Sequence, residues 1–154
     1  FYDSLTKLPN RRFLRDRIKH GIDVYHRTGE RMALLMMDLD KFKPVNDNYG
    51  HDVGDLLLRE VARRFSRVLP DGSILARLGG DEFGVLIPGS ISHTLESAHA
   101  LRASLSYPCQ IKGISISVGV SIGHVYNDGA GNLLKRADDA MYRAKQMDMG
   151  VVQS

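Results

Sequence analysis

The chain has 154 residues, 43% of them hydrophobic and 25% charged, with a net charge of +3 at pH 7. It is too apolar for a disordered protein and is typical of one globular domain with a hydrophobic core. Its single cysteine, Cys109, excludes an internal disulfide framework and favours a reducing compartment, and no apolar run approaches the ~20 residues of a membrane span.

The first half of the chain predicts a helix, a strand and a second helix. Residues 9–27 carry apolar side chains at helical spacing, with Asn10 as the N-cap. Residues 31–40 (RMALLMMDLD) form an apolar run that ends in acids, which predicts a central strand opening into a site. We expect a loop over residues 41–55. This loop leads into a helix whose first turn begins near Asp52. One face of this helix carries Leu57, Val61, Phe65 and Val68.

The second half predicts a hairpin, a helix, a long strand and a last helix. Residues 73–78 and 82–88 flank Gly79, Gly80 and Asp81, and two glycines suit a turn that requires positive φ. Residues 92–106 predict a helix and residues 114–125 one long strand. Residues 132–147 predict the last helix, with these side chains facing the core: Leu134, Ala137, Met141 and Ala144.

Apart from the first helix, this order is βαββαβ followed by a final helix. It is the ferredoxin-like plan, an antiparallel sheet with helices on one face. We therefore expect an α+β fold with a ferredoxin-like core, an extra N-terminal helix and a C-terminal helix, in a single domain over residues 1–154. Because the chain opens on Phe1 without an initiator Met, we expect this domain to be a piece of a longer protein.

Four acids lie at the ends of predicted strands. Asp38 and Asp40 end the first strand, and Asp81 and Glu82 follow the two glycines. If the two strands are sheet neighbours, these carboxylates converge and repel unless a cation lies among them. Mg²⁺ prefers such oxygen ligands and takes its remaining ligands from water and phosphate, so a nucleotide is implied. The alternative is that the acids are simply solvated.

Polar residues between the acids suit recognition of a base. Asn46 can both donate and accept hydrogen bonds and Asp55 accepts them, so together they could read a guanine edge, with His51 near the same ligand. Lys145 on the last helix could reach a phosphate. Each residue alone also has an ordinary structural role: a turn, a first helical turn or a solvated helix face.

Four segments resemble, in order and spacing, the GGDEF domain of the diguanylate cyclase family. They are DSLTKLPNRR, DLDKFKPVNDNYGHDVGD, RLGGDEF and LLKRADDAMYRAK. Because they extend over almost the entire chain in register, the chain is identified as a member of this family. The resemblance implies a fold like the palm of nucleotidyl cyclases and polymerases. It also implies the conversion of two GTP into the bacterial second messenger cyclic di-GMP, with release of pyrophosphate.

The resemblance assigns a metal and catalytic role to five residues. Asp38 and Asp81, with the backbone carbonyl of Leu39, would hold two Mg²⁺ (or Mn²⁺) ions per GTP site. Asp81 would also help to deprotonate the attacking 3′-OH, and Glu82 would support the metal site. Lys43 would stabilise the charge that develops on the triphosphate.

The resemblance also implies the substrate contacts. Asn46 and Asp55 would read guanine, with His51 close to the substrate, and Lys145 would contact phosphate. Gly79–Gly80 would let the backbone approach the α-phosphate without a Cβ in the way. One domain would bind one GTP, so a homodimer is needed to bring two nucleotides together. We expect the domain to be cytoplasmic and to make no direct membrane contact. Its parent protein could carry a membrane anchor and adjacent sensor and phosphodiesterase domains.

Three positions depart from the family pattern. The Arg-x-x-Asp inhibitory site for the product is replaced by residues 70–73 (PDGS), so we expect no product inhibition through it. Met149 stands where a phosphate-contacting Arg is usual, which would weaken triphosphate affinity. Lys41 stands where an aromatic or apolar residue is usual.

Two alternatives to a cyclase follow from these features. The first is a catalytically weak GTP-binding GGDEF domain that regulates an adjacent cyclic di-GMP phosphodiesterase domain. Regulatory members of the family often lose one of the acids of the GGDEF signature, whereas both are intact here. The second is a nucleic-acid-binding ferredoxin-like module, prompted by the basic charge. Such a module would expose aromatic side chains for base stacking, and the predicted strands at 32–40 and 114–123 contain none. We therefore expect no nucleic-acid partner.

Overall fold

The computed structural model describes residues 1–89, 91–127, 132–147 and 151–153, apart from the side chains of residues 91, 141, 145, 147, 152 and 153. The helices are α1 (Arg11–Thr28), α2 (Phe42–Tyr49), α3 (His51–Val68), α4 (Ile91–Ser104) and α5 (Leu133–Met147). The strands are β1 (Met32–Asp40), β2 (Ile74–Gly79), β3 (Glu82–Pro88), β4 (Cys109–Ile111), β5 (Ile114–Ile116), β6 (Gly119–Tyr126) and β7 (Val151–Gln153). Within these ranges, no helix is both long and apolar enough to cross a membrane.

The main sheet places β1 at its centre. Over the described residues its strand order is β2-β3-β1-β6-β7. β1 is antiparallel to both β3 and β6, β2 is antiparallel to β3, and β7 adds at the edge, parallel to β6. With α3 and α4 as its helices, the β1-α3-β2-β3-α4-β6 order is the predicted ferredoxin-like core, and the α+β class is confirmed. The edge strand β7 was not predicted.

Both faces of β1 are buried, which explains why its sequence is apolar without alternation. Leu35 and Leu39 belong to the core that includes α3 and α4. Leu34 and Met36, one position out of phase, belong to a second core with residues of α1 and α5. The helices of the ferredoxin-like core therefore lie on one face of the sheet, as expected, and the two helices outside that core cover the opposite face.

The helix α1 begins and ends as its sequence predicts. The side chain of Asn10 accepts a hydrogen bond from Phe13 N, and Gly29 closes the helix in the left-handed conformation with its N–H on Tyr25 O. Leu14 and Ile18 are its fully buried residues. In α5, Ala137 and Ala144 are buried as predicted and Leu134 is partly buried, whereas the predicted core position of Met141 lies outside the described side chains.

The loop predicted over residues 41–55 is wrong, because most of it is helical. α2 buries Phe42 and Val45 against the core, and this burial stabilises a helix that the turn-forming residues Asn46 and Asp47 do not favour by themselves. Pro44 is tolerated because it lies in the first turn, where backbone N–H groups have no helical partner. Gly50, with a φ of 91°, separates α2 from α3.

The single long strand predicted over residues 114–125 is also wrong. Ile116 and Val118 lie in the same core as Val120 and Ile122, so the alternation that predicted one strand is real. However, β5 pairs with β4 in a separate hairpin and β6 pairs with β1. A period of two shows which face is buried, and it does not show which strand is the hydrogen-bonding partner.

Candidate functional site

Three of the four predicted acids come together where β1 ends and β3 begins, whereas the fourth, Asp40, lies opposite Gly119 of β6. Asp38 lies directly opposite Glu82 in the antiparallel register, and Leu39 N donates a hydrogen bond to Asp81 O at 3.1 Å. Asp38, Asp81 and Glu82 are all half-buried. The predicted convergence of these strand ends is confirmed, and it follows from β1 and β3 being neighbours in the sheet.

The turn that carries Asp81 depends on glycine for its backbone. Gly79 and Gly80 have φ values of 142° and 50°, in the region that L side chains rarely adopt. A Cβ added to either residue would meet no other atom within 4 Å. The glycines are therefore required by conformation, and they leave the space in front of this Gly-Gly-Asp turn (residues 79–81) open.

Arg77 holds the Gly-Gly-Asp turn from behind. Its Nε and its NH2 donate to Gly80 O at 3.1 Å and 2.9 Å, and its NH1 donates to Asp3 Oδ1 at 3.0 Å. Burial alone would raise the pKa of Asp3, but hydrogen bonds from Thr6 and the charge of Arg77 outweigh it and lower this pKa. Asp3 and Arg77 together tie the N-terminal segment to the turn.

Two of the acids at the strand ends have identified polar partners. Ser121 Oγ donates to Asp40 Oδ1 at 2.7 Å, which turns this carboxylate toward β6. The carboxylate of Glu82 lies 3.7 Å from the guanidinium of Arg11. The pKa of Asp138 on α5 is raised, mainly by burial, and the charge of Arg11 partly offsets the rise. Arg11 therefore links α1 with both the acids and α5.

The predicted base-reading residues lie on the two helices that follow β1. Lys41, with a φ of 63°, turns the chain into α2. Because its side chain is exposed, its charge needs no buried partner. Lys43 on α2 is exposed. The half-buried Asn46, four residues before the glycine that separates the helices, packs against the first turn of α3.

The other predicted substrate contacts lie on α3 and α5. His51 and Asp55 are exposed at the start of α3. The backbone of Lys145 lies in α5, but its side chain is outside the described residues, as is Met149. The structure thus groups Asn46, His51 and Asp55 around one helix junction, and it leaves the predicted phosphate contact of Lys145 as an expectation.

The donor set at the strand ends fits a magnesium ion that also binds a nucleotide. Asp38 and Asp81 offer carboxylates and Leu39 a backbone carbonyl, all of them hard oxygen donors. Across the described ranges, no group of three or more His, Cys, Asp or Glu is arranged to hold a metal by itself. An ion here would need further oxygens from phosphate and water, as Mg²⁺ commonly does.

Sequence reasoning missed Asp3, Arg77, Arg11 and Ser121 as supports of the site. A local signal existed only for Asp3, whose carboxylate accepts from Thr6 N at 2.8 Å and Thr6 Oγ1 at 2.7 Å. An Asp followed three residues later by Thr is typical of such a turn. Arg11 and Ser121 act through contacts between elements that are distant in sequence. Arg77 reaches Gly80 within its own hairpin, but its contact with Asp3 spans 74 positions, which no local pattern predicts.

Comparisons with known proteins agree with this geometry. The family model for the diguanylate cyclase GGDEF domain matches residues 1–150. MucR of Pseudomonas aeruginosa, a bifunctional diguanylate cyclase/cyclic di-GMP phosphodiesterase, is 44% identical over 149 residues, which cover 94% of this chain and 22% of MucR. PdeR of Escherichia coli, a cyclic di-GMP phosphodiesterase, is 38% identical over 153 residues, which cover 96% of this chain and 23% of PdeR.

A solved structure resembles the whole fold. The GGDEF domain of TpbB (YfiN) from Pseudomonas aeruginosa superposes with a TM-score of 0.94 at 36% identity, covering 99% of this chain and 94% of that one. The chain spans less than a quarter of the length of MucR and of PdeR. With a family model matched over 150 residues and a relative of this similarity, the chain belongs to the GGDEF domain family of diguanylate cyclases.

Proposed function

We propose that this domain is a diguanylate cyclase that condenses two GTP into cyclic di-GMP and releases two pyrophosphates. The observation that carries the proposal is the strand register that places Asp38 opposite Glu82 and ties Leu39 to Asp81, directly after the open Gly-Gly-Asp turn. MucR and the matched family support the same activity for this chain.

The acids of the site would act on the two reacting groups. In each of two steps, a 3′-oxygen forms a bond to the α-phosphorus of the other GTP, and the bond from that phosphorus to the pyrophosphate oxygen breaks. Asp81 would accept the proton of the 3′-OH. Two Mg²⁺ or Mn²⁺ ions held by Asp38, Asp81 and the carbonyl of Leu39 would neutralise charge on the phosphates. Glu82, opposite Asp38 and beside Arg11, would keep the metal-binding carboxylates in place.

The remaining predicted residues would bind and orient the substrate. Asn46 and Asp55 at the α2–α3 junction would read the guanine edge, with His51 next to the same ligand. Lys43 and Lys145 would contact the triphosphate as point charges. The open space beside Gly79–Gly80 would admit the α-phosphate.

The reaction requires a second copy of the domain. One site holds one GTP, and the attacking 3′-OH belongs to the nucleotide of the partner, so two domains must face each other. Product formation would then rise more steeply than in proportion to protein concentration. Flanking sensor or phosphodiesterase domains in the parent protein would control this encounter, consistent with a chain that spans less than a quarter of MucR.

A regulatory GTP-binding domain is the second candidate. Its support is the similarity to PdeR, a cyclic di-GMP phosphodiesterase, together with Met149 at a position where a phosphate-contacting Arg is usual. In this case the domain would bind GTP with Mg²⁺ and influence an adjacent phosphodiesterase domain without making product.

Product formation by the purified domain distinguishes the candidates. The protein is incubated at several concentrations with GTP and Mg²⁺, and nucleotides are separated by chromatography. Asp81→Ala is the test variant, and Asp71→Ala, at an exposed position before β2, is the matched control. We expect cyclic di-GMP from the unaltered protein and from Asp71→Ala, and at least a hundredfold less from Asp81→Ala.

The other outcomes are equally informative. Mg²⁺-dependent GTP binding without product, also in a dimer forced by a fused coiled coil, would support the regulatory function. An absence of GTP binding would contradict the assignment of the site residues. Product inhibition that disappears in Asp71→Ala would contradict the expected loss of the inhibitory site at residues 70–73.

A further inference from the structure

Gly54 lies where α3 meets α2, and its backbone does not require glycine. It is buried in the first turn of α3, and its N–H donates a helical hydrogen bond to Gly50 O at 3.2 Å. It is absent from the residues with positive φ. Glycine is unfavourable at a helical position compared with alanine, so the reason for it here must be the space its missing side chain leaves.

That space is filled by the side chain of Asn46. A Cβ on Gly54 would overlap Asn46 Oδ1, and it would lie 3.0 Å from Asn46 Cγ and 3.4 Å from Phe42 Cζ. Phe42 is buried in the core and cannot easily withdraw. The backbone of Asn46 is also held, because Gly50 N donates to its carbonyl at 2.9 Å. Only the carboxamide of Asn46 can give way to a side chain at position 54.

We infer that Gly54 is a positioning residue for guanine recognition. Because it has no side chain, it leaves the space that the carboxamide of Asn46 occupies. This inference depends on the proposed function, in which Asn46 and Asp55 read the base. Asp55, the second proposed base contact, is the next residue of α3. The same helical turn therefore supports the Asn46 carboxamide through Gly54 and carries the carboxylate of Asp55. Gly54 therefore sets the spacing of the two groups that distinguish guanine from adenine.

A side chain at position 54 should change base selectivity more than it changes the chemical step. In Gly54→Ala the carboxamide of Asn46 must rotate away from position 54, while Asp55 and the acids of the strand ends keep their places. We expect the Kd for GTP with Mg²⁺ to rise about tenfold and the preference for GTP over ATP to fall about tenfold, with kcat changed less than threefold.

The experiment is a double-mutant cycle on the purified domain. GTP and ATP binding with Mg²⁺ are measured by calorimetry for the unaltered protein, Asn46→Ala, Gly54→Ala and the double variant, together with the thermal unfolding midpoint. Gly21→Ala is the matched control, because a Cβ there would collide with the Met32 side chain where α1 packs on β1. We expect it to lower the unfolding midpoint and to keep the GTP preference.

If Gly54 acts through Asn46, the double variant binds GTP no more weakly than Asn46→Ala alone. Additive losses, or an unchanged GTP preference in Gly54→Ala beside a reduced one in Asn46→Ala, would overturn the inference and leave the proposed function intact. An unchanged preference in Asn46→Ala itself would contradict the guanine assignment, and the inference with it. If Gly54→Ala does not fold, recovery of folding in the double variant supports the collision with Asn46, and its absence contradicts it.

Discussion

Arg64 shows how much a single buried side chain can contribute to this fold. It is 6% exposed, and its guanidinium donates to the carbonyls of Ser104, Tyr107 and Pro108 at 3.1, 2.8 and 2.9 Å. It also lies over the Tyr107 ring and donates to Glu60. One side chain of α3 therefore satisfies the carbonyl groups that end α4 and begin the connection to β4.

Loss of Arg64 should destabilise the domain strongly. In Arg64→Met the apolar stem is kept, but the three carbonyls and Glu60 lose their donor. We expect the free energy of unfolding to fall by about 3 kcal/mol, measured by urea denaturation. Arg63→Met is the control, since Arg63 is exposed and pairs with the same Glu60, and it should lower the free energy of unfolding much less than Arg64→Met. Equal losses in the two variants would contradict this account.

At the scale of elements, the N-terminal segment and the Gly-Gly-Asp turn form one unit through Arg77. The turn begins at a β-bulge between Arg77 and Gly79, where the regular ladder with β3 is interrupted. Two hydrogen bonds from one guanidinium to Gly80 O hold the chain just after this irregularity, and Asp3 accepts a third hydrogen bond from the same guanidinium. The position of Asp81 therefore depends on a residue 78 positions earlier in the sequence.

We expect Arg77→Met to lower cyclic di-GMP formation about tenfold, because a loosened turn places Asp81 less accurately. Asp3→Asn, which keeps a hydrogen-bond acceptor, should have a smaller effect. Arg67→Met, an exposed position at the end of α3, is the control and should leave the rate unchanged. The measurement is initial rate at saturating GTP alongside the unfolding midpoint, and an unaltered rate in Arg77→Met would disprove the role of this contact.

At the scale of the whole molecule, stability depends on groups whose protonation differs between the folded and unfolded chain. His124 on β6 is 1% exposed, and burial, with a smaller contribution from His99, lowers its pKa below 6.5. The hydrogen bond from Arg63 and then that from Arg64 lower the pKa of Glu60 from 4.5 to about 2. In both cases the unfolded chain binds protons more readily than the folded one, so acid favours unfolding.

Urea denaturation at a series of pH values should therefore show two pH ranges in which the free energy of unfolding falls. Stability should fall as the pH drops below 6.5, since the unfolded chain gains a proton at His124 that the folded chain resists. It should fall again as the pH drops from about 4.5 towards 2, where Glu60 is protonated. His124→Leu should remove the first decline and keep the second, and Glu60→Gln should reduce the second. A decline between pH 7 and 5 that is unchanged in His124→Leu would contradict the first assignment.

Local sequence determined the elements whose apolar spacing and end signals agree. Residues within a few positions of each other are enough to predict four of these features: the cap of α1 at Asn10, the apolar strand β1, the apolar face of α3 and the positive φ of Gly79 and Gly80. The sequence also determined the family, because its four segments keep the order and spacing of the GGDEF domain.

Only the tertiary structure decided which distant residues meet. The pairing of β1 with β3 brings Asp38 to Glu82, burial of Phe42 and Val45 makes α2 helical, and a change of partner strand separates β5 from β6. The contact of Arg77 with Asp3 and that of Gly54 with Asn46 could not be predicted for the same reason, because each joins two separate segments of the fold. Periodicity reports burial of a face, whereas partners and spacing are set by how the faces pack together.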